Sequence, residues 1–153
     1  MAASLRRCAE HLAAARVRHH VDVEQGVIRV VRLTREYRSL RDEKLAILQI
    51  TTPDDGRRCR VTIERAFDVG SAPAVTCRDL CRAAADTPLV GVEFDADFEN
   101  LRMVVETAVE DGDLTRRQLL SMIDALAGAA EVWHAALRGA RLAVAHAGHT
   151  PAA

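Results

Sequence analysis

The sequence predicts an α+β domain, an antiparallel sheet with helices packed on one face, and its last third carries the strongest support. Val90, Val92 and Phe94 alternate with Gly91, Glu93 and Asp95, and past the polar turn Asp95–Asn100 the residues Leu101, Met103, Val105, Thr107 and Val109 alternate with Arg102, Val104, Glu106 and Ala108. A period of two marks half-buried strands, so these runs form one hairpin. Thr115 and Gln118 then stand at capping-box spacing, flanked by Leu114 and Leu119 at the spacing of a hydrophobic staple, so a helix starts there. The expected order is α-β-β-β-α-β-β-α, with an extra short N-terminal strand as an option.

Taken from the start of the chain, Ser4 caps a first helix reaching about Arg16, with Leu5, Cys8, Ala9 and Leu12 on its apolar stripe. Val17, His19, Val21 and Val23 alternate with charged or polar neighbours, Gly26 interrupts, and Val27–Leu33 completes a short hairpin. The charged run Thr34–Lys44 lacks a sustained apolar face and is expected to be a mobile excursion. Leu45–Thr51 and the strand bearing Cys59, Val61 and Ile63 flank a turn in which Pro53 presets φ and Gly56 tolerates positive values. The near-continuous apolar character of Leu45–Ile50 predicts a central strand covered on both faces. Phe67–Pro73 breaks the pattern. Thr76 and Asp79 together open a second helix carrying Cys77, Leu80, Cys81 and Ala84 inward, and Pro88 ends it. The last helix runs Thr115–Leu137, with Leu119, Met122, Ile123, Leu126, Ala130, Trp133 and Leu137 on its core face and Arg116, Arg117, Asp124 and Glu131 opposite. Residues 1–140 read as one domain and 141–153 as a helical extension or tail.

The 153 residues are enough to bury a core without disulfide or metal staples. Aromatic side chains are few, so Val, Leu, Ile and Ala must supply that core by close helix-to-sheet approach. Four unevenly spaced cysteines, Cys8, Cys59, Cys77 and Cys81, read as reduced thiols. No run approaches the roughly 18 apolar residues of a membrane span, and the first residues show no leader pattern, so a cytoplasmic location without membrane contact is expected. Charge is unevenly spread: residues 1–65 carry five surplus positive charges, 66–113 eight surplus negative charges and 114–153 two surplus positive ones.

The segment Leu89–Trp133, with its aromatic strand, acidic turn, strand ending in acidic residues, Leu-Thr helix start and apolar helix, resembles the YbjN-domain family, which has the type III secretion chaperone-like fold. The resemblance covers about residues 5–138 and consists of structural residues. It implies a homodimeric, non-enzymatic domain of the kind assigned to bacterial sensory-transduction regulation, related in shape to chaperones that bind extended segments of a partner protein. The charged excursion and the histidine-bearing tail depart from that pattern.

Reactive constellations are not readable. Asp95, Asp97, Glu99 and Glu106 match part of a calcium-loop count, but Asn100 replaces the required glycine and the strand carries Glu106 away from the turn. Cys77 and Cys81 lack a second pair or a spaced histidine for zinc, and read as core residues. His19 and His20 point to opposite faces of a strand. Arginines recur at 29, 32, 35, 38 and 41, a spacing that aligns on neither a helix nor a strand; Arg35, Arg38 and Arg41 are the residues a nucleic-acid-contacting regulator would use. There is no phosphate loop, nucleophile elbow or paired base and nucleophile, so neither catalysis nor a cofactor is expected, and a small enzyme is the least favoured reading. The expected role is therefore an adaptor or chaperone-like regulator binding an unidentified protein partner as a homodimer. Its candidate partner-binding residues are Ile47, Leu48, Ile50, Val61 and Ile63, on a hairpin expected to offer an edge for strand addition.

Overall fold

The structure, a computed structural model, describes residues 4–69, 73–109 and 113–147, with side chains described outside 73–75 and 140–147. Helix α1 (Leu5–Ala14) starts where the Ser4 hydroxyl accepts the Arg7 N–H at 3.2 Å, and its buried side chains, Cys8 and Leu12, lie one turn apart. Six strands follow the expected periodicities: β1 (His19–Asp22), β2 (Val27–Leu33), β3 (Leu45–Thr51), β4 (Arg58–Asp68), β5 (Gly91–Asp95) and β6 (Asn100–Ala108). Helix α2 (Pro73–Ala85) precedes β5, and α3 (Arg116–Ala147) follows β6. The strands form one sheet in the order β1-β2-β3-β4-β6-β5, and every neighbouring pair is antiparallel. The optional extra strand is β1.

Local chemistry explains the turns. At Asp54, Asp55 and Gly56 the backbone takes positive φ (54°, 53° and 81°), a region that only Gly and short polar residues enter at low cost, and Arg58 pairs with Asp54 across the turn. Both halves of the capping box form: Gln118 N–H donates to Thr115 Oγ1 at 3.2 Å, and Thr115 N–H donates to Gln118 Oε1 at 2.9 Å. Leu114 and Leu119 are both buried beside it.

The helices pack on one face of the sheet. Ile28, Val30, Ala46, Leu48, Ile50, Val61, Ile63, Met103 and Val105 point toward them, meeting Leu12, Leu80, Leu119, Ile123, Leu126 and Trp133 in one continuous core. The Trp133 ring N–H donates to Thr87 Oγ1 at 2.8 Å, joining α3 to the segment after α2.

Five expectations are corrected. Thr34–Lys44 is pinned rather than mobile: the Glu131 carboxylate accepts the backbone N–H groups of Arg35, Glu36 and Tyr37 at 2.6, 2.8 and 2.7 Å, and Tyr37 is buried with its hydroxyl donating to Ala66 O. Glu131 therefore belongs to an interface and not to the solvent face of α3. Strand β4 continues through Phe67 to Asp68 after an irregularity between Ile63 and Phe67, where Arg65 takes φ of 51°. Helix α2 starts at Pro73, ahead of Thr76, and rotates Cys77 and Cys81 to solvent while Leu80 and Ala83 enter the core. Strand β3 is central, yet only its Ala46, Leu48 and Ile50 face is covered; Ile47, on the other face, is 45% exposed.

Candidate interaction surface

The sheet face turned away from the helices is built in two chemically different halves. On β4, β6 and β5 it is an ion-pair lattice. Arg58 reaches Glu106 at 2.7 Å, Arg60 reaches Glu106 at 3.2 Å and also pairs with Glu93, and Arg102 reaches Glu64 at 2.5 Å and Asp95 at 3.1 Å. These residues alternate with core residues along their strands, so the period of two that buries Val61 and Met103 also aligns the charges across the ladder. The Arg102 guanidinium loses solvent there, which lowers its pKa, but Glu64, Asp95 and Glu93 outweigh that loss and raise it.

Toward the Leu33 end of β2 and the Leu45 end of β3 the same face is apolar. Val31 lies opposite Ile47 and Leu33 opposite Leu45, with Val31 and Leu33 52% and 88% exposed, and the exposed Leu40 of the excursion lines one cleft with Ile47. Between the halves the sheet opens. β3 is registered with β4 only over Gln49–Thr51, and where the strands part a cleft of about 510 Å³ lies between Ile47, Gln49, Ile63, Glu64 and the excursion residues Leu40 and Arg41.

The hairpin expected to bind a partner at its edge lies in the interior of the sheet and is not an edge hairpin. β3 and β4 are the third and fourth of six strands, with Leu48, Ile50, Val61 and Ile63 buried beneath the helices. Only Ile47 of the five is exposed. Sequence periodicity revealed which residues share a face but not which strands flank the hairpin, since that depends on pairings with residues distant in sequence.

The arginines spaced by three are dispersed as their period implied. Arg29 pairs with Asp22 on the open face, Arg32 with Asp124 on the helix face, and Arg38 with Asp42 inside the excursion. The backbone of Arg35 is held by Glu131, and Arg41 lines the cleft. Tyr37 and Glu131 were not singled out from the sequence. The signal was there in part, because Tyr37 is the chain's one tyrosine, set in an otherwise charged run where an aromatic ring has no reason to remain in water. Its ring packs edge-on against Phe67 and His134, and burial pushes its phenol pKa up to about 12.

The acidic turn is a hydrogen-bonded hairpin tip. Asp95 Oδ1 accepts the N–H groups of Asp97 and Phe98 while its other oxygen holds Arg102, and Glu106 lies along β6 between Arg58 and Arg60. Two carboxylates of the calcium-loop count are thus committed to arginines. Cys8 and Cys59 are buried and their thiols hydrogen-bond; that bond lowers the Cys8 pKa, while the same bond and burial raise that of Cys59. Among the described residues no helix is long and apolar enough to cross a membrane.

The fold so assembled, a six-stranded antiparallel sheet with three helices on one face, is YbjN-like. YbjN from E. coli, whose crystal structure is described as that of "a putative transcription regulator", superposes with a TM-score of 0.63 over 89% of this chain and 93% of its own, at 13% sequence identity. That likeness is one of fold. No family profile matches the chain, and no curated protein matches it.

Proposed function

We propose that the chain is a non-catalytic, protein-binding regulatory module that works as a homodimer through the uncovered half of its sheet. The observation that carries this reading is the cluster of Val31, Leu33, Leu40 and Ile47, exposed on a face whose other half is tied up in ion pairs. An apolar patch beside a saturated polar lattice favours burial against another protein surface, and a second copy supplies an identical patch across a two-fold axis. Sedimentation velocity at micromolar concentration tests it. The wild type should run at twice the 16.7 kDa chain mass, and the double variant Val31→Lys, Ile47→Lys should run as a monomer with unchanged circular dichroism. A monomeric wild type sinks the reading.

A second reading, contact with nucleic acid, is favoured by the description of the E. coli neighbour as a putative transcription regulator. Binding of that kind weakens steeply with salt. Removing charge at Arg35, Arg38 and Arg41 should then lower affinity for a duplex probe, whereas protein contact through the apolar patch tolerates both changes.

A further inference from the structure

Besides the outer sides of β1 and β5, part of β6 is a free edge of the sheet. This strand runs nine residues, but β5 covers it only from Asn100 to Val104, and the chain leaves the edge at Leu89, whose φ is 72°. Among the described residues Val105–Ala108 therefore have β4 on one side and no strand on the other. Val109 N–H donates to Arg57 O at 2.7 Å, which turns the odd-numbered positions of this stretch toward β4. By the alternation of an antiparallel ladder, Glu106 and Ala108 turn their main-chain N–H and C=O groups outward. Alongside runs a groove of about 300 Å³ between this edge and the first turns of α3, lined by Leu89, Val105, Thr107, Arg117, Met122 and Ala125. Arg117 stands on its rim without a carboxylate partner among the described residues, whereas Arg58, Arg60 and Arg102 on the neighbouring strands are paired.

We infer that this edge and groove are a strand-addition site for an extended segment of a partner protein, one that places an apolar side chain in the groove and an acidic one against Arg117. The inference rests on the protein-binding reading above and names its site and partner chemistry. Outward main-chain groups select an extended chain over a helix, because only an extended chain presents its own N–H and C=O groups in register. Arg117, unpaired among the described residues, selects an acidic segment by charge complementarity. The site is separate from the apolar patch: Val105 and Thr107 point to the helix side, whereas Val31 and Ile47 are on the opposite face.

The probe is a capped heptapeptide of alternating valine and glutamate, titrated into the ¹⁵N-labelled full chain. The amides of Glu106 and Ala108 should shift together with the Arg117 side chain. A valine–lysine peptide, or one with N-methylated alternate amides, should bind about tenfold more weakly or worse. Ala108→Pro removes an outward donor while leaving the β4 ladder intact, and should abolish binding. Arg117→Glu, an exposed change that spares the fold, should reverse the preference toward the lysine peptide. No shift at Glu106 and Ala108 up to about 1 mM peptide, a scale that already marks very weak binding, overturns the site, as does undiminished binding by folded Ala108→Pro. Peptide binding by a monomeric Val31→Lys, Ile47→Lys variant supports the edge independently of the dimer. A dimer whose edge ignores the peptide refutes the edge alone.

Discussion

Replacing Trp133 with alanine offers a quantitative test of how the long helix sits on the sheet. The indole is fully buried at the centre of α3, and its N–H is satisfied by Thr87 Oγ1. Deleting a buried Trp ring costs about 3–5 kcal/mol, from lost transfer energy and the cavity left behind, and the lost hydrogen bond adds about 1 kcal/mol. Set against the 5–15 kcal/mol that holds an ordinary domain together, the variant loses a large part of its stability. At about 2–4 °C per kcal/mol for a chain of this size, the melting temperature should fall by about 10 °C or more. Urea unfolding followed by far-ultraviolet circular dichroism measures this directly, since the variant has no tryptophan for fluorescence. Trp133→Phe keeps most of the ring, loses the N–H, and should cost about half as much or less. A loss below about 1 kcal/mol for Trp133→Ala at unchanged urea slope would refute the packing of α3 described here.

Glu131→Gln should loosen the excursion, raising amide exchange at residues 35–37 and exposing Tyr37, while the sheet keeps its protection. Burial pushes the Glu131 pKa up, but the three backbone N–H groups outweigh it and hold the carboxyl below its ordinary value. Its contribution is therefore fully present above the unfolded value of about 4.3 and fades as pH falls through the depressed folded value, so acid should free the excursion in the wild type and change little in Glu131→Gln. The Tyr37 phenol behaves in the opposite sense: raised to about 12, it favours the fold below the unfolded value of about 10 and loses that contribution as pH climbs toward 12, which ultraviolet titration would follow. In native protein Cys77 and Cys81 should react with a thiol reagent promptly, and Cys8 and Cys59 only after denaturation. Thr115→Ala should cost about 1 kcal/mol in a denaturant melt by removing the α3 cap.

What the sequence determined by itself was local. The Ser4 cap, the Thr115–Gln118 box, the alternation along β2, β4 and β6, and the α3 core stripe depend on neighbours within a few residues, so their physics is complete within a short window. Periodicity also showed which β4 and β6 residues share a face, and hence which arginines and glutamates could meet. Tertiary structure decided what depends on distant partners. The Leu45–Ile63 hairpin became the middle of the sheet because β2 and β6 pair on either side of it. The apolar run of β3 remained open on one face because all three helices pack on the other. The excursion is ordered because α3 brings Glu131 to three backbone amides about 95 residues away in sequence, a contact no local pattern encodes. Cys77 and Cys81 turned outward because the contact of α2 with α3 and β5, rather than its own composition, set its rotation. The free edge of β6 arose from a difference in strand length, visible only once β5 was laid beside it.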